Sequence, residues 1–190
     1  MKTRMIVCGA AGRMGRALIR LVHENPLAEL HAAVEAAGHP ALGSDAGALA
    51  GVGDLGVAVG DDYAAVAAPD TVTLDFTTPV ASLDHVRIAA ARQAAIVVGT
   101  TGFDEAQRQE LQREAARTRS VVAPNMSVGV NVLLKLVASA AAALGDDFDP
   151  EIFEIHHRLK VDSPSGTAIA LGRVVADALG RDLRTDARYG

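Results

Sequence analysis

The segment His156-His157-Arg158-Leu159-Lys160-Val161-Asp162-Ser163-Pro164-Ser165-Gly166-Thr167 concentrates more reactive side chains than any other stretch of the chain. It sets two imidazoles and two cations ahead of a Ser-Gly-Thr turn that opens a helix. Backbone N–H groups and hydroxyls at such a helix N-terminus receive an anion. Cations beside it would hold a carboxylate, and a histidine or lysine can deliver a proton. Arginine cannot do that near neutral pH, because its pKa exceeds about 12. Only Lys2, Lys135 and Lys160 among the 18 Lys and Arg residues are lysines, so Lys160 stands out. The plain alternative is a solvated basic loop.

A second constellation is Gly9-Ala10-Ala11-Gly12-Arg13-Met14-Gly15, between a short apolar run at Arg4–Cys8 and helical spacing of Met14, Leu18, Leu21 and Val22. Glycines there let the backbone turn tightly and approach a pyrophosphate lying on the helix N-terminus. The GxxGxxG spacing is a weak signal by itself. Its context is stronger, since Glu35 ends the next predicted strand about 20 residues after Gly15, where a carboxylate accepts ribose hydroxyls. Two later loops, Gly99-Thr100-Thr101-Gly102 and Ala123-Pro124-Asn125-Met126, also follow predicted strands. Each alone reads as an ordinary turn, but the carboxyl edge of an open α/β sheet is where ligands bind.

The elements that must position these groups alternate. Strands are expected at Arg4–Cys8, Leu30–Val34, Thr71–Phe76, Ala95–Val98 and Ser120–Ala123. Helices are expected at Met14–Glu24, Val80–Gln93 and Asp104–Arg119. Such alternation implies parallel strands with right-handed crossovers, hence a Rossmann-like doubly wound sheet. Residues 36–62, with seven glycines, read as a loop-rich excursion. After Asn125 the pattern changes. Val130–Leu144 reads as an apolar helix buried on most faces, Glu151–His156 as a strand, and Thr167–Leu179 as a helix closed by Gly180. The expected organisation is a dinucleotide-binding domain over 1–126 and an incomplete α+β substrate and oligomerisation domain over 127–190.

Composition narrows the function. A net charge of -5 without a Lys/Arg cluster argues against nucleic acid. The single cysteine, Cys8, excludes an internal disulfide framework and fits a reducing compartment. The N-terminus carries no signal-peptide pattern, and no apolar run is expected to reach membrane-spanning length. A cytoplasmic protein without membrane contact is expected. Asp146 and Asp147 read as solvated loop charges, and no metal site is expected.

Gly9–Gly15, Asp75-Phe76-Thr77, Gly99–Gly102, Asn125–Asn131 (NMSVGVN) and Glu154–Thr167 (EIHHRLKVDSPSGT) occur in an order and spacing that resembles bacterial dihydrodipicolinate reductases. The resemblance runs the length of the chain, including Gly43-Ser44-Asp45-Ala46-Gly47. It implies an enzyme reducing 4-hydroxy-tetrahydrodipicolinate to tetrahydrodipicolinate in the diaminopimelate route to lysine, with NADH or NADPH as hydride source. By position it implies pyrophosphate binding by Gly9, Ala10, Ala11, Gly12, Arg13 and Met14, and ribose binding by Glu35. Gly99, Thr100, Thr101, Ala123, Pro124, Asn125 and Met126 would line the nicotinamide side. His156 would donate and accept a proton, Lys160 would donate one, and His157, Gly166 and Thr167 would bind the dicarboxylate. A homotetramer is implied for the full-length protein.

The sequence departs from the family pattern in three places. Leu159 stands where many relatives have histidine. Ala36 follows Glu35 where some relatives have an arginine suited to NADPH, so NADH is expected to serve at least as well. Relatives also continue past Gly190, so a C-terminally truncated chain is expected. Two other readings stay open. One is another Rossmann oxidoreductase, such as a semialdehyde or homoserine dehydrogenase; Cys8, in the first strand, is badly placed as the former's nucleophile. The other is a nucleotide-binding module without activity, which turnover of the cyclic imine would distinguish.

Overall fold

The computed structural model describes residues 1–158 and 163–189. It divides into two compact units, Met1–Pro124 and the segment from Asn125 onward.

In the first unit the order is β1 (Thr3–Cys8), α1 (Arg13–Glu24), β2 (Ala28–Val34), α2 (Ala46–Ala50), β3 (Val59–Gly60), α3 (Tyr63–Val66), β4 (Thr71–Asp75), α4 (Pro79–Arg92), β5 (Ala95–Val98), α5 (Glu105–Ala115) and β6 (Ser120–Val122). The strands form one sheet in the order β3-β2-β1-β4-β5-β6, with every pairing parallel. This is the expected doubly wound arrangement. The winding direction reverses between β1 and β4, the place where such sheets open a crevice at their carboxyl ends.

Burial on both faces explains the apolar strands. Ile6 and Cys8 of β1 join one core with Val34, Leu83, Val86, Ile96, Val98 and Leu111. Val7, between them, points into the other core with Ala10, Ile19, Ala33, Ala46 and Val59. Helix ends follow local chemistry. Asp104 caps α5 in a capping box with Gln107, its carboxylate accepting the Gln107 N–H at 2.8 Å. Pro79 opens α4, and Gln93 ends it in the left-handed region at φ 56°.

Residues 36–62 are more ordered than expected of a loop. They contain α2 and β3, and Ala46, Ala50 and Val59 are buried. Asp45 organises the stretch: its carboxylate accepts the N–H groups of Gly47 (2.8 Å), Ala48 (3.0 Å), Leu55 (3.0 Å), Gly56 (2.8 Å) and Val57 (3.1 Å). A side chain thus replaces the periodic pattern that sequence reading relies on.

The second unit contains α6 (Val128–Leu144), a short 3-10 turn at Gly145–Asp147, α7 (Gly166–Ala178) and α8 (Leu183–Asp186). Two expectations fail here. Glu151–His156 is irregular rather than a strand; its backbone has no partner strand among the described residues. Helix α6, expected to be buried, packs against α7 but has no buried residue. Val128, Val132, Leu133 and Leu136 are exposed. The helical stretch Val128–Asp147 reaches 20 residues with a hydropathy of 1.8, enough by length and composition to cross a membrane, contrary to the sequence reading.

Candidate functional site

The glycine loop joins β1 to α1 at the β1/β4 switch point. Gly9 turns the chain at φ +70°, and a Cβ on it would meet the Thr77 methyl at 2.9 Å. The N–H groups of Gly9 and Ala10 donate to the Val34 carbonyl at 2.8 and 3.1 Å, tying the loop to β2. A Cβ on Gly15 would lie 2.0 Å from the Gly9 carbonyl oxygen, so helix and loop touch through backbone alone. Gly12 precedes α1 and provides no side-chain cap. The first-turn N–H groups therefore face the loop mouth in the manner that receives phosphate. Arg13 and Met14 are exposed beside them.

Glu35, half-buried just past β2, reaches this loop. Its Oε1 accepts the Ala11 N–H at 2.9 Å and its Oε2 accepts the Ala36 N–H at 3.1 Å. An ionised carboxylate has about four acceptor positions, so capacity is left for ribose hydroxyls. Ala36 is exposed and uncharged, and Nδ1 of His39 accepts the Ala41 N–H at 3.1 Å.

The Gly99–Gly102 loop sits on the β4 end. The Gly99 N–H donates to the Asp75 carbonyl at 2.8 Å, and a Cβ on Gly99 would fall 2.0 Å from Cε1 of Phe76. Thr100 is buried while Thr101 is exposed. The Ala123 N–H donates to the Val98 carbonyl at 3.1 Å, continuing the edge past β6. Pro124 and Met126 are exposed.

In the second unit, the Asn125 Oδ1 accepts the Ser127 N–H at 2.9 Å, and Ser127 caps α6. Asn131 Nδ2 donates back to the carbonyls of Asn125 (3.1 Å) and Ser127 (2.9 Å). The NMSVGVN motif is thus a self-capped helix start. Glu154 links the catalytic candidates: its Oε1 accepts the Ser165 N–H at 2.8 Å, and its Oε2 lies 3.6 Å from His156 Nδ1. Ser165 in turn caps α7 by accepting the Ala168 N–H at 3.1 Å. The His156 imidazole therefore stands beside the turn carrying Gly166 and Thr167. A Cβ on Gly166 would meet nothing within 4 Å, so its backbone is open to a ligand. His157 is exposed. Leu159 and Lys160 lie outside the described residues. Among the described residues, no three His, Cys, Asp or Glu side chains cluster as metal ligands.

Residues 3–126 match the family profile described as dihydrodipicolinate reductase, N-terminus, and residues 129–188 match the profile for its C-terminus. The chain belongs to the dihydrodipicolinate reductase family. Among its relatives, the 4-hydroxy-tetrahydrodipicolinate reductase of Alkalilimnicola ehrlichii is 54% identical over 190 residues, covering 100% of this chain and 71% of that protein. That of Geotalea daltonii is 50% identical over 186 residues, covering 98% and 70%. A solved structure titled as the dipicolinate-bound dihydrodipicolinate reductase from Paenisporosarcina sp. TG-14 matches with a TM-score of 0.70 at 25% identity, over 100% of this chain and 69% of that one. The family resemblance read from the motifs is borne out.

Sequence reasoning missed one cluster in this reductase-family chain. Asp75, quoted only as part of a motif, is fully buried and pairs with His85 at 2.6 Å. Burial works against its charge, but the hydrogen bond and charge of His85, with donors from Thr77, hold its carboxyl below the usual range. The available signal was faint: Ser82 and His85 are polar residues three apart in a helix that otherwise turns Leu83, Val86 and Ala89 to the core.

Proposed function

We propose that this chain reduces 4-hydroxy-tetrahydrodipicolinate to tetrahydrodipicolinate, with loss of water, in the diaminopimelate route to lysine. The observation that carries the proposal is the match along the whole chain to 4-hydroxy-tetrahydrodipicolinate reductases. Bound NADH or NADPH supplies the hydride. The residues fit such a group: a helix N-terminus without a side-chain cap, a glycine turn in close backbone contact with it, and a carboxylate with free acceptor positions.

In this reading Gly9, Ala10, Ala11, Gly12, Arg13 and Met14 hold the pyrophosphate, and Glu35 receives the adenosine ribose hydroxyls. Gly99, Thr100, Thr101, Ala123, Pro124, Asn125 and Met126 line the nicotinamide side. Thr100 contributes there through its backbone, since its hydroxyl is turned inward onto Ser82. Gly166 and Thr167, opening α7, receive a substrate carboxylate, and His157 adds to that binding. His156, oriented by Glu154, exchanges a proton, and Lys160 donates one. The reading also implies a cytoplasmic enzyme whose full-length form assembles as a homotetramer.

NADH serves at least as well as NADPH in this proposal. Glu35 repels a 2′-phosphate, and Ala36 offers no cation. The test is steady-state turnover of the cyclic imine with each dinucleotide, beside direct NADH titration. Turnover with kcat/KM for NADH at or above that for NADPH is expected, and Glu35→Gln, which keeps an acceptor for the Ala11 N–H, should narrow any gap. Lys160→Arg keeps charge but not a transferable proton, so the rate should fall by about 10²–10⁴. A chain that binds NADH and never turns over the imine is the nucleotide-binding module instead, and the proposal fails.

A further inference from the structure

A buried carboxylate is costly unless donors surround it, and the donors around Asp75 come from several segments. Thr77, in the turn after β4, gives its N–H at 2.9 Å and its hydroxyl at 2.7 Å. Ser82 Oγ, in the first turn of α4, lies 2.9 Å away, and His85 Nδ1, a turn further on, lies 2.6 Å away. Ser82 Oγ also stands 2.6 Å from Thr100 Oγ1, which is itself 3.4 Å from Asp75 Oδ1. Tyr63 walls the imidazole edge to face, with ring centroids 5.0 Å apart at 68°, and its own hydroxyl is anchored 2.7 Å from Thr73 Oγ1.

The same three residues, Asp75-Phe76-Thr77, touch both candidate cofactor loops. The Thr77 methyl abuts Gly9, and the Phe76 ring abuts Gly99. Through Ser82, Asp75 also fixes Thr100. The spacing of the two loops at the carboxyl edge is therefore keyed to one buried carboxylate and its hydrogen-bond partners. Asp75 is fully buried, with Thr77, Ser82 and Thr100 around Oδ1 and His85 on Oδ2, so burial closes it to a ligand.

We propose that Asp75, held by His85, is a positioning residue of the dinucleotide site: it sets the Gly99–Thr101 loop against the glycine loop and so fixes the nicotinamide half relative to the pyrophosphate half. This rests on the reading of those loops as two ends of one dinucleotide site. It predicts that breaking the network harms the nicotinamide end selectively, whereas a purely structural role would harm both ends alike.

The experiment titrates NADH and ADP-ribose, which lacks the nicotinamide, into the 190-residue chain and its variants. His85→Leu and Ser82→Ala should each raise the Kd for NADH about ten-fold while changing that for ADP-ribose less than about two-fold, the scale of one lost hydrogen bond. His85→Asn places an amide N–H where the Nδ1–H stood and should restore most of the loss. Ser82→Ala leaves the Asp75–His85 contact intact, so it reads loop position even where His85→Leu does not fold. Equal weakening of both ligands, or no weakening of either, overturns the proposal. If the unaltered chain binds neither ligand, the dinucleotide reading falls and this inference with it, a result distinct from any pattern among the variants.

Discussion

Gly15→Ala is the sharpest probe of the glycine loop, because the obstacle it creates is wholly backbone. Gly15 is buried in the first turn of α1. An added Cβ would lie 2.0 Å from the Gly9 carbonyl oxygen, 2.7 Å from Ala10 Cα and 2.8 Å from the Ala10 carbonyl oxygen. No rotamer relieves these overlaps. A Cβ on Gly12 would sit 3.2 Å from that same Gly9 oxygen, so reaching a comparable distance requires α1 to retreat by roughly 1 Å, the scale at which misplaced groups lose function. Alanine gains about 1 kcal/mol in helix propensity, whereas overpacking costs about 1–3 kcal/mol and more against rigid atoms. The balance is a destabilisation of about 2 kcal/mol, or a fall in Tm of about 4–8 °C for a chain of this size. The retreat also withdraws N–H groups from the pyrophosphate, and losing one or two charge-assisted hydrogen bonds weakens NADH binding by about 10–100-fold. Circular dichroism melts and calorimetric titration measure the two effects, with Gly12→Ala as the sterically milder control. Gly15→Ala that melts within about 1 °C of the parent and binds NADH equally would refute the close-packing argument.

Three further outcomes are expected. Gly99→Ala drives a Cβ into the Phe76 ring, and because that obstacle is a side chain, Phe76→Leu in the same chain should recover most of the lost Tm; additive losses in the double-mutant cycle would contradict the contact. Asp45→Ala should strip hydrogen-exchange protection from Gly47, Ala48, Leu55, Gly56 and Val57 together, since one carboxylate holds all five; unchanged protection would show that the segment is held otherwise. The folded pKa of Asp75 lies below its unfolded value, so its stabilisation is fully present above about pH 4 and is lost as pH falls through the folded pKa; Asp75→Asn should flatten Tm against pH in that acid window, and an unflattened profile would remove Asp75 from the titration.

The parts of this fold legible in the sequence are those whose signal is local and periodic. Apolar runs separated by helical spacing located β1, α1, β2, β5 and α5 closely, because each strand is buried on both faces and each helix on one. The expected loop at 36–62 fails for the opposite reason: α2 and β3 are too short to show a period, and they are held by Asp45 reaching ten or more residues along the chain to Leu55 and Val57. Glu151–His156 shows the converse failure. Ile152, Phe153 and Ile155 favour extended backbone, but a strand requires a neighbour to pair with, and composition cannot supply one. Apolar content likewise made α6 look buried, whereas burial depends on which elements pack against it.

Two carboxylates at the carboxyl edge of the sheet show why the candidate site was only half legible. Glu35 could be picked out by its distance in sequence from Gly15, and the structure leaves it half-buried, with one N–H on each oxygen. That is the state of a group able to take a ligand hydroxyl. Asp75 ends β4, two strands along the sheet, with the same chemistry and no such spacing rule. Its partners Ser82, His85 and Thr100 lie 7, 10 and 25 residues away and meet it only because α4 crosses over from β4 and returns the chain along the adjacent β5. Full burial removes it from ligand contact, and partners from several segments make it a fixed point between loops. Sequence distance can nominate an acidic residue for a nucleotide site, but whether it touches the ligand or holds the residues that do is decided by how many donors the fold has already brought to it.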